Sequence, residues 1–304
     1  MYNKKSGEIW TSAVQRTFPA AEVRQWQECR EENWLADYAV VWQPPIELFH
    51  QQTRLKAAFN QGVGVDHLIS LEGLPEDLPI FKLRGVGMEE SMSDYITYGL
   101  LHFFREFDRY RNQQAGRVWK GHRIESKSDW TVGILGLGVI GRAVASSISS
   151  LGFPVMGWSR SEKQIDGIHC YAGENGLDEV VSRSRVLVSL LPATVETRNL
   201  IDQKMLGKLP GDSVLINGGR GSVVDLDAVQ AALDTGQLRG AMLDVFEHEP
   251  LDRDHPLWAC SQVIITPHIA APTPVSEAMK QIATNIRMIE SGEMPEAIDR
   301  SSGY

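Results

Sequence analysis

Cysteine is scarce: the 304-residue chain has three, Cys29, Cys170 and Cys260. An odd, scattered set excludes a disulfide framework and matches no metal-ligand spacing, so no metal is expected. The three read as reduced, structurally incidental thiols of a cytoplasmic protein. Basic charge is in deficit, with 30 Lys and Arg against 39 Asp and Glu and a formal net charge of −9. A broad phosphate-binding face needs the opposite sign, so nucleic acid is not an expected partner. No apolar run approaches the roughly 18 residues of a membrane span, so no membrane is expected either. The opening "MYNKKSGEIW" carries charge but no apolar stretch, unlike a secretory signal. Repeats and low-complexity tracts are missing as well. What is left is an ordinary globular composition, 42% hydrophobic and 23% charged, long enough for about two domains.

From Asp129 onward, short β-rich runs alternate with helical patterns. Strands are expected at "TVGIL" (131–135), "PVMGW" (154–158), "VLVSLL" (186–191), "SVLIN" (213–217), "GAMLDV" (240–245) and "VIIT" (263–266). Helices are expected at 142–152, 177–184, 202–209 and 225–236. In the last of these Asp225 caps, Leu226, Val229 and Leu233 share a face, and Gly236 closes. Such alternation predicts a parallel sheet covered on both faces. The earlier part is less regular, with strands at "DYAVVW" (37–42) and within 55–68. The longest helical pattern, 91–114, joins and bridges the two regions, and a last helix at 276–293 returns to the first.

The run "GILGLGVIG" holds Gly136, Gly138 and Gly141 in G-x-G-x-x-G spacing. The pattern is short and weak alone, but here it follows an expected strand and opens an expected helix. Gly136 permits the tight turn, Gly138 lets a pyrophosphate approach the backbone, and Gly141 lets helix and strand pack closely. The helix start at Val139 and Ile140 offers N–H groups to phosphate. A tight turn that binds nothing and a methyltransferase are the alternatives at this point.

About twenty residues further on, an acid would bond the ribose 2′-hydroxyl of NAD. "MGWSRS" (156–161) offers Ser159, Arg160 and Ser161 instead. A guanidinium there suits a 2′-phosphate, serine hydroxyls add bonds, and Lys163 supplies a further cation. The expected cofactor is therefore NADP (NADPH). NAD is the alternative, with Arg160 pointing into water.

Three more residues stand just beyond expected strand ends: Arg220 in "INGGRG", Glu249 in "MLDVFEHEPL" and His268 in "IITPHIA". Ligands of open α/β sheets bind outside the carboxyl ends of the strands. An arginine pairs with the carboxylate of a 2-oxo acid and polarises its carbonyl. A histidine is a suitable proton donor to that oxygen near neutral pH. A neighbouring glutamate orients the ring and favours the imidazolium. Each residue alone reads as surface or structural; the three together, downstream of a cofactor turn, carry the reading.

On these segments the chain resembles the D-isomer-specific 2-hydroxyacid dehydrogenases. "NGGRG", "GAMLDVFEHEPL" and "ITPHIAA" match that family's arginine, glutamate and histidine segments in order and approximate spacing. "SLLPATVETRNLI" (189–201) matches its cofactor-flanking loop, and "VGVDH" (63–67) its substrate loop. The likeness runs from about Asp37 to the C-terminus. Within the family it is greatest to the glyoxylate/hydroxypyruvate reductase branch, on "ADYAVVWQPP", "GVGMEESMSDY", "FREFDRYRNQQ", "WSRS" and "DRSSGY".

The resemblance implies an α/β fold of two Rossmann-like doubly wound domains. A NAD(P)-binding domain (97–274) is inserted in a flavodoxin-like substrate domain (1–96 and 275–304). It implies an NADPH-dependent reductase of small 2-oxo acids, taking glyoxylate to glycolate and hydroxypyruvate to D-glycerate, and working as a homodimer. His268 is then the general acid, supported by Glu249, while Arg220 and His268 bind substrate. Leu191, Pro192, Thr197, Gly218, Gly219, Asp244 and Ala270 lie around the cofactor. Val63 and Gly64 offer backbone N–H groups to the substrate carboxylate, and Trp42 lies over the substrate. Three residues keep a second reading: Trp42 as a strand-end aromatic, Asp244 as a stabiliser of its own loop, and Trp119 as either a subunit contact or a surface packing residue. The chain departs from the family in its polar first segment, where the first strand is short, altered or missing. Gly219 stands where alanine is frequent, which would loosen the Arg220 loop, and Ala270 stands where glycine is frequent. Two other functions fit the same fold: a dinucleotide-sensing binding protein like the transcriptional corepressors, and a dehydrogenase for a different 2-hydroxy acid.

Overall fold

The computed structural model describes residues 1–3, 6–123 and 125–300; Ser301–Tyr304 of "DRSSGY" and Lys4–Lys5 of the opening segment lie outside them. The chain divides into two compact units, Met1–Gly87 with Thr273–Tyr304, and Met88–Pro272.

The first unit is built on β1 (Tyr2–Asn3), α1 (Gly7–Thr17), α2 (Trp26–Glu32), β2 (Tyr38–Trp42), α3 (Ile46–Gln51), β3 (Ala57–Asn60), α4 (Asp66–Ile69) and β4 (Ile80–Phe81). Its parallel sheet has the order β1-β2-β3-β4. The polar opening segment does form the first strand, but only two residues of it pair, with Val41 and Trp42. Val41, Ala58, Leu48 and Leu68 are buried in its core.

The second unit runs through α5 (Met88–Phe104), α6 (Phe107–Ala115), β5 (Val132–Leu135), α7 (Val139–Ser150), β6 (Val155–Ser159), β7 (His169–Ala172), α8 (Gly173–Arg183), β8 (Val186–Ser189), α9 (Gln203–Leu206), β9 (Ser213–Asn217), α10 (Leu226–Asp234), β10 (Leu238–Leu243) and β11 (Val263–Ile265). The chain then forms α11 (Val275–Glu290), which packs on α1 in the first unit. The larger sheet has the order β11-β10-β9-β8-β5-β6-β7, and every pairing in it is parallel. The doubly wound α/β architecture expected from the alternating pattern is present.

Side-chain alternation explains the two layers. Val186, Val188, Val214 and Ile216 enter one core with residues of α5 and α7. Leu187 and Leu215, between them in sequence, enter the opposite core with residues of α8, α9 and α10. Both sheet faces are covered, which is why these strands read as unbroken apolar runs. Asp225 caps α10 as expected, accepting from the N–H groups of Asp227 and Ala228.

The expected helix at 91–114 is not continuous. It breaks after Phe104, and Glu106 takes φ 60°. The cause lies in a distant strand. Arg239 of β10 is buried, and Asp108 receives it in two parallel bonds of 2.9 and 2.7 Å. Glu106 approaches the same guanidinium at 3.8 Å and pairs with Arg109 at 2.9 Å. A buried cation needs carboxylates beside it, and turning the chain at Glu106 presents both. Arg239→Ala would leave the Asp108 carboxylate without its cation, while Glu106 keeps Arg109. It is expected to destabilise the protein by about 3–5 kcal/mol, read from the denaturant midpoint.

Candidate active site

The strand order of the second unit reverses between β5 and β8, the crevice where doubly wound folds take ligands. The glycine turn leaves β5 there. Gly136 has φ 103°, which favours glycine, and a Cβ on Gly141 would sit 1.8 Å from the Gly136 carbonyl oxygen. Gly138 faces open space within 4 Å of an added Cβ, and it precedes α7 without a side-chain cap. Val139 is exposed and Ile140 half-buried at the helix start. A tight turn with an open backbone face and uncapped helical N–H groups fits a dinucleotide pyrophosphate.

The neighbouring loops pack on this turn through backbone. A Cβ on Gly136 would meet the Leu190 oxygen at 2.8 Å, and a Cβ on Gly219 would meet the Leu191 oxygen at 2.8 Å. The expectation that Gly219 loosens its loop is therefore reversed: the missing side chain lets that loop close onto Leu190 and Leu191. Gly218 is likewise buried, with Met92 Sδ 2.9 Å from where its Cβ would lie. Leu191 is buried and Pro192 half-buried. Thr197 staples the segment that follows, donating to the Pro192 oxygen at 2.7 Å and accepting from the Thr194 N–H at 2.8 Å.

At the end of β6 the Ser159 hydroxyl is buried and donates to the Ser161 oxygen at 2.8 Å, shaping the turn. Arg160 and Ser161 are exposed on it, and Lys163 is half-buried. Glu196 has its carboxyl held below the ordinary range by the Thr194 hydroxyl and its own backbone, and Arg160's positive charge adds to this.

Arg220 follows β9, and one of its guanidinium nitrogens donates to the Gly219 oxygen at 2.9 Å. Asn217, fully buried at the strand end, holds this loop. Its amide donates to the Arg220 oxygen at 3.0 Å, and its oxygen accepts from the Gly219 N–H at 3.2 Å. His268 Nδ1 lies 2.9 Å from Glu249 Oε2, with both side chains about a quarter to a third exposed. A carboxylate only accepts, so Nδ1 carries the hydrogen. Nε2 has no hydrogen-bond partner among the described residues.

Asp244 is 1% exposed beneath the His268 loop. Its Oδ1 accepts from Thr266 Oγ1 at 2.6 Å and from the Ile269 N–H at 2.8 Å, and its Oδ2 from the Ala270 N–H at 2.8 Å. Its carbonyl oxygen takes the His268 N–H at 2.8 Å. Among the protein's own atoms Asp244 is thus the stabiliser of the loop. Ala270 is buried and contributes through its backbone.

Trp42, Val63 and Gly64 belong to the first unit and are gathered there. The Trp42 ring is half-buried and fills the space beside Gly62, where a Cβ would lie 2.4 Å from Cζ3; its centroid is 4.5 Å from that of His67. Val63 and Gly64 are half-buried. Asn60, fully buried, clamps their loop by donating to the Gly62 oxygen at 2.9 Å and the Gly64 oxygen at 2.8 Å. Asn60 and Asn217 are the loop-holding residues that sequence reasoning missed. Their one visible signal is an amide at the end of an apolar strand.

An Asp244→Asn variant tests the loop. The amide nitrogen must face at least one of the donors that now point at the carboxylate. We expect a loss of about 1–3 kcal/mol in stability and a fall in turnover, read by thermal denaturation and steady-state rates.

A family model for the NAD-binding domain of D-isomer specific 2-hydroxyacid dehydrogenases matches residues 98–270. Solved structures are similar over nearly the whole chain. A D-isomer specific 2-hydroxyacid dehydrogenase from Xanthobacter autotrophicus Py2, in complex with NADPH and MES, is 35% identical with a TM-score of 0.90, covering 100% of this chain and 98% of that one. An NADPH-dependent glyoxylate/hydroxypyruvate reductase from Sinorhizobium meliloti, in complex with NADP and sulfate, is 34% identical with a TM-score of 0.93, covering 99% and 98%. A probable 2-hydroxyacid dehydrogenase from Rhizobium etli CFN 42, in complex with NADP, HEPES and L(+)-tartaric acid, is 33% identical with a TM-score of 0.88, covering 99% and 97%. The chain belongs to the D-isomer-specific 2-hydroxyacid dehydrogenase family of NAD(P)-dependent oxidoreductases.

Proposed function

We propose that this enzyme is an NADPH-dependent reductase of small 2-oxo acids, with glyoxylate and hydroxypyruvate as its substrates and glycolate and D-glycerate as its products. The observation that carries it is the His268–Glu249 pair at 2.9 Å, with Nε2 left for an incoming oxygen, in the same unit as the glycine turn and Arg220. The similar Xanthobacter and Sinorhizobium structures, bound to NADPH and NADP, support the cofactor. The name of the Sinorhizobium reductase supports the substrates.

When bound, the cofactor supplies a hydride to the carbonyl carbon. The protein's part is positioning and proton delivery. Glu249 accepts from Nδ1 and steadies the imidazolium, and Nε2 passes its proton to the carbonyl oxygen as charge develops there. Arg220 pairs with the carboxylate and polarises the carbonyl. Trp42, Val63 and Gly64 are assigned to the substrate. Gly136, Gly138, Val139, Ile140 and Gly141 would hold the pyrophosphate, and Arg160 with Ser161 and Lys163 would take the 2′-phosphate, on the turn that the buried Ser159 hydroxyl shapes. The second unit is the dinucleotide-binding domain, and the first is the substrate domain. The enzyme is a homodimer, an assignment supported by Trp119, which is fully exposed, and by Phe107 and Val118, each more than half exposed.

Two measurements test this. The first is NADPH and NADH oxidation with a panel of 2-oxo acids. Glyoxylate and hydroxypyruvate should lead, with NADPH preferred. His268→Gln should bind NADPH and lose most turnover. Arg160→Ala should raise KM for NADPH far more than for NADH. Tight NADPH binding without turnover on any acid would point to a dinucleotide sensor instead. The second is sedimentation: the wild type should run as a dimer and Trp119→Ala should dissociate more readily. A monomeric wild type would remove the dimer assignment.

A further inference from the structure

The loop that carries His268 is anchored a second time, from a helix that the catalytic reading leaves unused. Tyr95 of α5 places its hydroxyl 2.7 Å from Thr266 Oγ1, which in turn lies 2.6 Å from Asp244 Oδ1. The Asp244 carboxylate can only accept, so the single Thr266 hydrogen goes to it and Tyr95 donates to Thr266. The direction of the chain is thereby fixed: Tyr95 to Thr266 to Asp244. Asp244 then gathers the N–H groups of His268, Ile269 and Ala270 through its carbonyl and carboxylate oxygens. Burial pushes the Tyr95 phenol well up, with Thr266 and Asp244 acting on it in opposite directions, so the hydroxyl stays a donor at any working pH.

What this chain holds is a strained backbone. His268 has φ 58°, a left-handed conformation unusual outside glycine. Such conformations persist where the surroundings over-determine them. The same helix also seats the Arg220 loop. Met92 and Ile96, on either side of Tyr95, lie 2.9 and 3.6 Å from where a Cβ on Gly218 would be. At Gly99 the helix closes onto Ile216 and Met242. One helix face therefore sets the height of two loops, and Tyr95 is its polar contact with the second.

We propose that Tyr95 is a positioning residue for the reaction: through Thr266 and Asp244 it holds His268 in the left-handed conformation that aims its imidazole. Tyr95 itself touches neither substrate nor cofactor in this role. The inference rests on the reading of His268 as proton donor.

The test uses the full-length enzyme, NADPH and whichever 2-oxo acid is turned over fastest, with NADPH affinity measured separately by fluorescence. Tyr95→Phe should lose about ten- to a hundredfold in kcat, the scale of a misplaced catalytic group. The KM for the oxo acid and the NADPH affinity should stay within about twofold, because neither is held by this contact. The solvent deuterium isotope effect on kcat should rise as proton delivery becomes limiting. Thr266→Val should behave like Tyr95→Phe, whereas Thr266→Ser, which keeps the hydroxyl, should retain most of what valine loses. The double variant Tyr95→Phe/Thr266→Val should cost no more than the worse single, as members of one chain do. Wild-type kcat and isotope effect in Tyr95→Phe would overturn the proposal. So would parallel losses of kcat and NADPH affinity, or additive effects in the double variant. His268→Gln separates the two readings. If that variant is inactive while Tyr95→Phe is unchanged, the positioning role falls and the proton donor stands. If it turns over like the wild type, the proton-donor reading itself falls.

Discussion

Asp244 is a carboxylate at 1% exposure, and burial of that kind is tolerable only when both oxygens are engaged. Its donors are a hydroxyl and two backbone N–H groups, all from residues 266–270, and its own carbonyl takes a third N–H. The segment after β11 has no regular structure of its own to fix it. Its shape is the shape in which those donors reach one buried anion. The left-handed turn at His268 and the Nδ1 contact with Glu249 both follow from that constraint. On the neighbouring strand Asn217 does the same work with an uncharged amide.

The parallel sheet makes such local anchors effective. All its strands point the same way, so the loops bearing Gly136, Arg160, Leu191, Arg220, Asp244 and His268 leave from one edge. They meet each other backbone to backbone, at Gly136 against Leu190 and Gly219 against Leu191. Small residues at these contacts remove the side chains that would hold the loops apart. The chemistry then needs few groups, because each one is delivered to a defined place by the scaffold.

Much of this is legible in the sequence. The central strands announced themselves because both faces are covered, and the Gly turn because it sits between strand and helix. The edge strand β7 was missed. Its residues, "HCYA", are only partly buried and carry no apolar pattern. The short helices of the first unit were missed for a similar reason, since α2 and α3 span 7 and 6 residues and show little periodicity. The break at Glu106 was illegible because its cause, Arg239, pairs with Asp108 across 131 residues. Tyr95 meets Thr266 across 171. Pairings at that distance leave no local trace, while the Arg220, Glu249 and His268 segments each carry their own.

The turn after β6 stands apart from this interlocked edge. Arg160 and Ser161 are exposed, and the Ser159 hydroxyl ties the turn internally. The charge of Arg160 also acts on Glu196, exposed in the loop after β8. An exposed turn of this kind accepts new side chains at a small structural penalty, while the His268 loop is fixed by its buried anchor. One edge of the sheet thus carries a tolerant turn beside a loop whose backbone has a single permitted shape.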